Sequence, residues 1–286
     1  MNKKNKKIGF IGQGWIGKNY ADNFEQRGFR VVRYALEEPY RKNKEKIKDC
    51  DVVFIAVPTP TTPTGFDYSI VEKAVALVGE GKSAVIKSTI LPGTTKKLQT
   101  KYRQLLVFYS PEFLSEVTVV HDVANPFSNI VGMSVNNKTY QRAATEILSI
   151  LPSAPFKLIC DSNEAELIKY AHNSSGYVQI IFFNLLYDLT QKIGADWTVV
   201  NKALINDPYV PNRYAQPVHK SGRGAGGHCF IKDFSALADF YREMVDDKEG
   251  NEIFKANEKK NIKLLLESNK DLDLLGGVYG KKVEKK

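Results

Sequence analysis

Residues 8–17 read Ile8-Gly9-Phe10-Ile11-Gly12-Gln13-Gly14-Trp15-Ile16-Gly17. A short apolar run, 8–11, passes directly into GxGxxG; a helix-compatible segment follows at 18–27, then Gly28 and a second apolar run at 29–34. Strand, glycine turn, helix, strand is the setting in which this motif binds a dinucleotide. Gly12 permits the tight turn, Gly14 lets the backbone approach a pyrophosphate, and Gly17 allows close helix packing. The helix N-terminus then faces the negative charge.

The second strand ends without the acid that commonly holds the adenine ribose, because the residue after Tyr34 is Ala35. Glu37 and Glu38 stand just beyond as substitutes, whereas Arg33 and Arg41 suit a 2′-phosphate, so NAD is expected with NADP left open. Further apolar strands are expected at 52–57, 84–87, 105–108, 129–132 and 156–159, with a helical stretch at 69–78. Strands alternating with helices imply an α/β fold, a Rossmann-type doubly wound parallel sheet. Ligands then sit beyond the strand C-termini, where this chain carries Pro58-Thr59-Pro60-Thr61, Ser88-Thr89 and Ser110-Pro111-Glu112.

From Asp161 the pattern changes. Asp161 and Glu164 have capping-box spacing, and 163–192 reads as one long helix on which Lys169 and Asn173 share a face. Residues 207–221 read as a loop that leads into Ser221-Gly222-Arg223-Gly224-Ala225-Gly226-Gly227-His228-Cys229-Phe230-Ile231-Lys232-Asp233. Glycines permit close ligand approach, and a cysteine beside His228 and Lys232 has a stabilised thiolate. Cys50 and Cys160 lack such neighbours and read as buried apolar residues. The division implied is 1–160 for a dinucleotide domain and 161–286 for an α-helical domain with a long central helix and a basic tail.

The chain has 286 residues, 43% hydrophobic and 11% aromatic, which is enough to build a core and excludes a disordered polymer. Its net charge of +9 invites a nucleic-acid reading. Four lysines lie in residues 1–7 and four in 281–286 against Glu284, however, leaving +2 for the body. Charge at two ends is not a folded basic face, so neither nucleic acid nor a membrane surface is expected as a partner. No apolar run is long enough to cross a bilayer, and three dispersed cysteines without CxxC spacing argue against a disulfide framework or a metal site. A reducing, cytoplasmic setting is the expectation.

Taken in order, six segments resemble the UDP-glucose/GDP-mannose dehydrogenase family. They are GQGWIG, Val57-Pro58-Thr59-Pro60-Thr61, Lys87-Ser88-Thr89-Ile90-Leu91-Pro92-Gly93-Thr94, Ser110-Pro111-Glu112-Phe113-Leu114-Ser115-Glu116, Glu166-Leu167-Ile168-Lys169-Tyr170-Ala171-His172-Asn173 and GGHCFIKD. The resemblance implies NAD-dependent, four-electron oxidation of a sugar C6 alcohol to a carboxylate, of the UDP-glucose to UDP-glucuronate type that serves polysaccharide biosynthesis. Cys229 would be the nucleophile, passing through a thiohemiacetal and a thioester. Lys169 and Asn173 would stabilise oxyanion charge, Lys169 or a water held by Asp233 would assist deprotonation, and Thr89 and Glu112 would hold the hydrolytic water. The cofactor would touch Gly12, Gly14, Trp15, Ile16, Gly17, Thr59, Thr89, Glu116 and Lys232. The nucleotide sugar would touch Glu112, Lys169, Asn173, Gly222 and Gly226. The long helix would pair with its twin in a homodimer.

The chain departs from the family pattern at Ala35, at Ser115 and Val117 around Glu116, and at Asn184-Leu185; His228 and Lys232-Asp233 resemble different sugar branches. The 272–280 stretch, LDLLGGVYG, resembles the first strand of a third, nucleotide-gripping domain whose remainder is expected to be missing. Two other readings stand beside this one. A 3-hydroxyacid-type dehydrogenase would use Lys169 and Asn173 but not Cys229, and a degenerate relative would bind nucleotide without turnover.

Overall fold

The computed structural model describes residues 5–211, 213–220, 222–280 and 283. Six of the eight terminal lysines lie outside the described residues, as do Asn212 and Ser221. The chain divides into two units, Met1–Thr59 with Asp67–Lys169, and Pro60–Phe66 with Tyr170–Lys286.

Strand β1 (Lys7–Ile11) buries all but its first residue, as a central parallel strand with apolar side chains on both faces must. The chain turns through Gly12 into α1 (Trp15–Gln26), whose Gly17, Tyr20, Ala21 and Phe24 recur at helical spacing and face the core. It returns as β2 (Arg30–Tyr34), then crosses through a 3-10 segment, Arg41–Asp49, to β3 (Val52–Ile55) on the far side of β1. That strand stops two residues short of the expected 57. Val57 N–H is bonded to Ser88 Oγ instead of to a neighbouring strand, and Pro58 has no N–H to offer.

A short antiparallel ribbon, β4 (Thr61–Thr62) with β5 (Gly65–Phe66), belongs to the second unit. The first unit resumes with α2 (Ser69–Val75), β6 (Ser83–Ile86), α3 (Thr94–Lys101), β7 (Leu106–Tyr109) and α4 (Val119–Ala124). It closes with β8 (Ser128–Met133), α5 (Lys138–Ile150) and β9 (Phe156–Asp161). The seven sheet strands lie in the order β2-β1-β3-β6-β7-β8-β9. The order reverses at β1, so the crevice beyond β1 and β3 is the topological switch point and holds the GxGxxG turn. One feature departs from a wholly parallel sheet: β8 runs against β7, pairing Phe108 with Met133 and Tyr109 with Gly132. Phe10 stacks on Phe54 at 5.2 Å and meets Phe24 edge-on at 5.3 Å in the core beneath this turn.

Helix α6 (Ser162–Ile193) begins as its capping box requires. Asp161 Oδ1 accepts from Asn163 N–H, and Asp161 N–H donates to Glu164 Oε2. The second unit takes α6 from Tyr170 onward and adds α7 (Trp197–Leu204) and a ribbon of β10 (Val218–His219) with β11 (Gly222–Arg223). It ends with α8 (Gly227–Met244), α9 (Lys248–Glu267) and α10 (Leu272–Tyr279). Tyr177 of α6 stacks on Phe234 of α8 at 3.9 Å, in a core with Ile181, Ala225 and Leu264. Ile231, Leu265, Leu275 and Val278 form a second cluster.

The sequence expectation of a strand at 272–280 is corrected. The segment is helix α10, because Leu275 and Val278 are three apart and bury one helical face against α8 and α9. An eight-residue apolar run carries no period that separates helix from strand, and here the tertiary partner decides.

Candidate functional site

In the first unit the glycines of the turn are required by backbone contacts. A Cβ on Gly12, whose φ is +90°, would lie 2.1 Å from Ala56 O, and one on Gly17 would lie 1.9 Å from Gly12 O. Nothing lies within 4 Å of a Cβ on Gly14, so its exposed face is open to a ligand. Gly14 is also the N-cap of α1; no side chain caps that end, and its first turn carries no acid. This cradle fits a dinucleotide pyrophosphate. Trp15 is exposed beside it and Ile16 half-buried, while Thr59 is buried. Arg33 is held by α1, with Nε and an amino group on Glu25 at 3.0 and 2.6 Å and the other amino group 2.7 Å from Asp22. Arg41 Nε donates to Leu36 O at 2.7 Å. Arg33 is thereby engaged by α1, away from the role of holding a 2′-phosphate.

Beyond the strand ends the first unit holds a buried ionic cluster. Lys169 Nζ lies 2.9 Å from Glu112 Oε1 and donates to Glu112 O at 2.6 Å, with both side chains less than a tenth exposed. Glu112 Oε2 accepts from Leu114 N–H at 2.8 Å. Burial pushes the Glu112 carboxyl up, yet Lys169, the Leu114 amide and Lys87 outweigh it and hold the group below the usual carboxylate range. Lys87 is fully buried at the end of β6; its Nζ donates to Ser110 O at 3.2 Å and lies 4.4 Å from the centre of the Tyr20 ring. Burial lowers its ammonium to about 7, with Glu112 opposing and Lys169 assisting. Thr89 is buried two residues on, and Glu116 lies exposed on the loop before α4.

Glu166, one turn before Lys169, is wholly buried. It accepts from Gly93 N–H at 2.7 Å, Thr95 N–H at 2.8 Å and Thr95 Oγ1 at 2.6 Å, capping α3 and fixing the loop after Thr89. Burial pushes its carboxyl up to about 7 while these donors draw it down.

In the second unit the glycine-rich run ends in a helix, α8. Gly226 is the N-cap of α8, so Cys229 stands exposed in the first turn, where the helix's positive end favours a thiolate. Lys232 and Asp233 follow at helical i+3 and i+4 and share its side. Asp233 is buried; it accepts from Asn173 Nδ2 at 2.7 Å through Oδ2 and pairs with Lys232 through Oδ1. Gly222 and Gly226 face chain rather than open space, since a Cβ on either would strike Ser268 or Asp271. Three other residues had no role in the sequence reading. Lys87 and Glu166 lie inside quoted motifs, and a charged residue ending an apolar strand, as in AVIK, was the available signal. Asp271 had none.

The fold and these clusters define a class: a dinucleotide-binding domain followed by a helical segment that carries an exposed cysteine, with a lysine and an asparagine-bound aspartate on the same helix. Residues 34–150 match the UDP-glucose/GDP-mannose dehydrogenase family, NAD binding domain, and 163–261 match that family's central domain. The UDP-glucose 6-dehydrogenase TuaD of Bacillus subtilis is 30% identical over 324 residues, spanning 97% of this chain and 68% of that protein. The UDP-glucose 6-dehydrogenase of Rickettsia conorii is 30% identical over 287 residues, spanning 92% and 65%. A UDP-glucose dehydrogenase structure from Pyrobaculum islandicum superposes with a TM-score of 0.78 at 24% identity, over 94% of this chain and 72% of that one, which shows the shared fold. The chain belongs to the UDP-glucose/GDP-mannose dehydrogenase family, and its dinucleotide is NAD. It spans between about a third and two-thirds of the length of the curated relatives it matches.

Proposed function

We propose that this protein oxidises the C6 alcohol of a UDP-sugar to the carboxylate, in the manner of UDP-glucose to UDP-glucuronate, with Cys229 as the nucleophile. The observation that carries the reading is Cys229 exposed in the first turn of α8, with Lys232, Asp233 and the Asp233-bound Asn173 about it. The Gly12–Gly14–Gly17 cradle with Thr59 and Glu116 would hold NAD, which would accept a hydride twice, one NAD for alcohol to aldehyde and a second for thiohemiacetal to thioester. Lys169 takes or returns the proton at the C6 oxygen and balances negative charge there. The Cys229 thiolate adds to the aldehyde carbon, forming a C–S bond and a thiohemiacetal whose oxygen Asn173 steadies by donating its amide N–H. Asp233 orients that amide. Once the carbon is at the thioester level, water adds and the C–S bond breaks, returning the thiolate and releasing the carboxylate. Glu112 and Thr89 position that water. The acidic sugar so made is the class of donor consumed by polysaccharide biosynthesis.

No helix among the described residues is long and apolar enough to cross a membrane. We place the protein in the cytoplasm, where its nucleophilic thiol stays reduced. The exposed Val178, Phe182, Leu185, Leu189 and Ile193 line one face of α6 at coiled-coil spacing and support a homodimer through that helix.

The test is an anaerobic assay with NAD against a panel of UDP- and GDP-sugars. Two NADH per UDP-sugar are expected, with Cys229→Ser making no carboxylate. NADH formation on no nucleotide sugar overturns the reading.

A further inference from the structure

The glycine-rich run ahead of Cys229 is anchored almost residue by residue from α9 and its junction with α10. Arg223 N–H donates to Ser268 Oγ at 2.9 Å. Gly224 O accepts from the buried Lys270 Nζ at 2.9 Å. Ala225 is bonded at both its N–H and its C=O by the Asn261 amide, at 2.7 and 3.0 Å. Gly227 N–H, the first of α8, donates to Asp271 Oδ2 at 2.7 Å. The glycines have their reason here: a Cβ on Gly222 would lie 2.5 Å from Ser268 Cβ, and one on Gly226 would lie 2.0 Å from Asp271 Oδ2.

Asp271 reaches this place with φ +53°, a left-handed backbone that Asp and Asn adopt more readily than other side-chain-bearing residues. Gly226 has no side chain with which to cap α8. The carboxylate of Asp271 fills that role from another part of the chain. It also brings a full negative charge to the end of the helix that favours the Cys229 thiolate. The other titratable groups about this helix start are His228, Lys232 and Asp233 on α8, Lys270 at the junction, and Lys220 at the β10–β11 turn, which acts electrostatically on Lys270.

We propose that Asp271 is a positioning residue for Cys229: it caps α8 from outside the helix and so sets both the location and the proton affinity of the thiol. This rests on the reading of Cys229 as the nucleophile. A positive helix end without this cap would make a more acidic and less precisely placed thiol.

The test follows carbamidomethylation of Cys229 by iodoacetamide across pH in the full chain, located by peptide mass, for wild type, Asp271→Asn and Asp271→Gly. Asn keeps an acceptor oxygen and tolerates the left-handed backbone but removes the charge. Gly keeps the backbone and removes the cap. Asp271→Asn is expected to lower the pH midpoint and raise the neutral-pH rate about two- to fivefold. A midpoint that stays or rises overturns the proposal. Asp271→Gly is expected to lower kcat on the nucleotide sugar at least about tenfold below Asp271→Asn, since small misplacement of a nucleophile is costly. Equal kcat values overturn the positioning role. If wild type turns over no nucleotide sugar, the function above fails while the alkylation midpoint still decides Asp271.

Discussion

The Glu112–Lys169 pair and the Cys229 helix start solve opposite problems. The pair is dry: both side chains are almost fully buried and hold each other, and a third basic group, Lys87, is buried nearby on Ser110 and the Tyr20 ring. Cys229 is exposed, and the backbone leading to it is held by Asn261, Ser268, Lys270 and Asp271. Charge is kept strong by removing water, whereas the thiol proposed as nucleophile keeps its exposure, its helix start being held instead.

The sharpest way to break this contrast is Lys169→Met. Removing one partner of a buried pair strands the other charge, so unfolding in urea should show a loss of about 3–5 kcal/mol. A loss below about 1 kcal/mol would make the pair no different from an exposed one.

Lys87 gives the contrast a pH signature. Its folded value of about 7 lies below the ordinary lysine value, so the unfolded chain binds more protons between the two. Stability should therefore rise with pH from about 7 toward about 10.5, by up to a few kcal/mol. Urea midpoints taken across that window should rise in wild type and flatten in Lys87→Met.

On the other side, Asn261→Ala leaves the buried N–H and C=O of Ala225 without their amide partner and should cost about 1–3 kcal/mol. Its larger effect should be on kcat, measured alongside, because the strand leading to Cys229 loosens. The smallest change expected in fold stability is at the α6 stripe. Leu189→Ser should alter the unfolding free energy by no more than about 0.5 kcal/mol while shifting sedimentation from dimer to monomer.

Much of the first unit was legible in the sequence, because its signals are local. GQGWIG between two apolar runs marks the turn, and apolar strands punctuated by Pro, Ser and Thr mark the sheet. The capping box at Asp161 and Glu164 marks the start of α6 within a residue. What escaped depends on distant partners. The antiparallel β8 follows from pairing, not from its own residues. The 272–280 run became a helix because α8 and α9 offered a face for Leu275 and Val278. The glycines at 222 and 226 were read for ligand approach, and their neighbours proved to be Ser268 and Asp271, more than forty residues away in sequence. The catalytic candidates themselves came from the resemblance of six ordered motifs to a family. That Glu112 meets Lys169, and Asn173 meets Asp233, required the fold.

Chemistry that resides in the exposed thiol at the start of α8 is lost when that thiol is blocked. Iodoacetamide labelling of Cys229 and the loss of NADH formation on a UDP-sugar should be followed in one sample. A single shared rate constant is expected, with Cys50 and Cys160, whose thiols burial pushes up to about 11, left unlabelled over that time. Full labelling of Cys229 with NADH stoichiometry unchanged would contradict it.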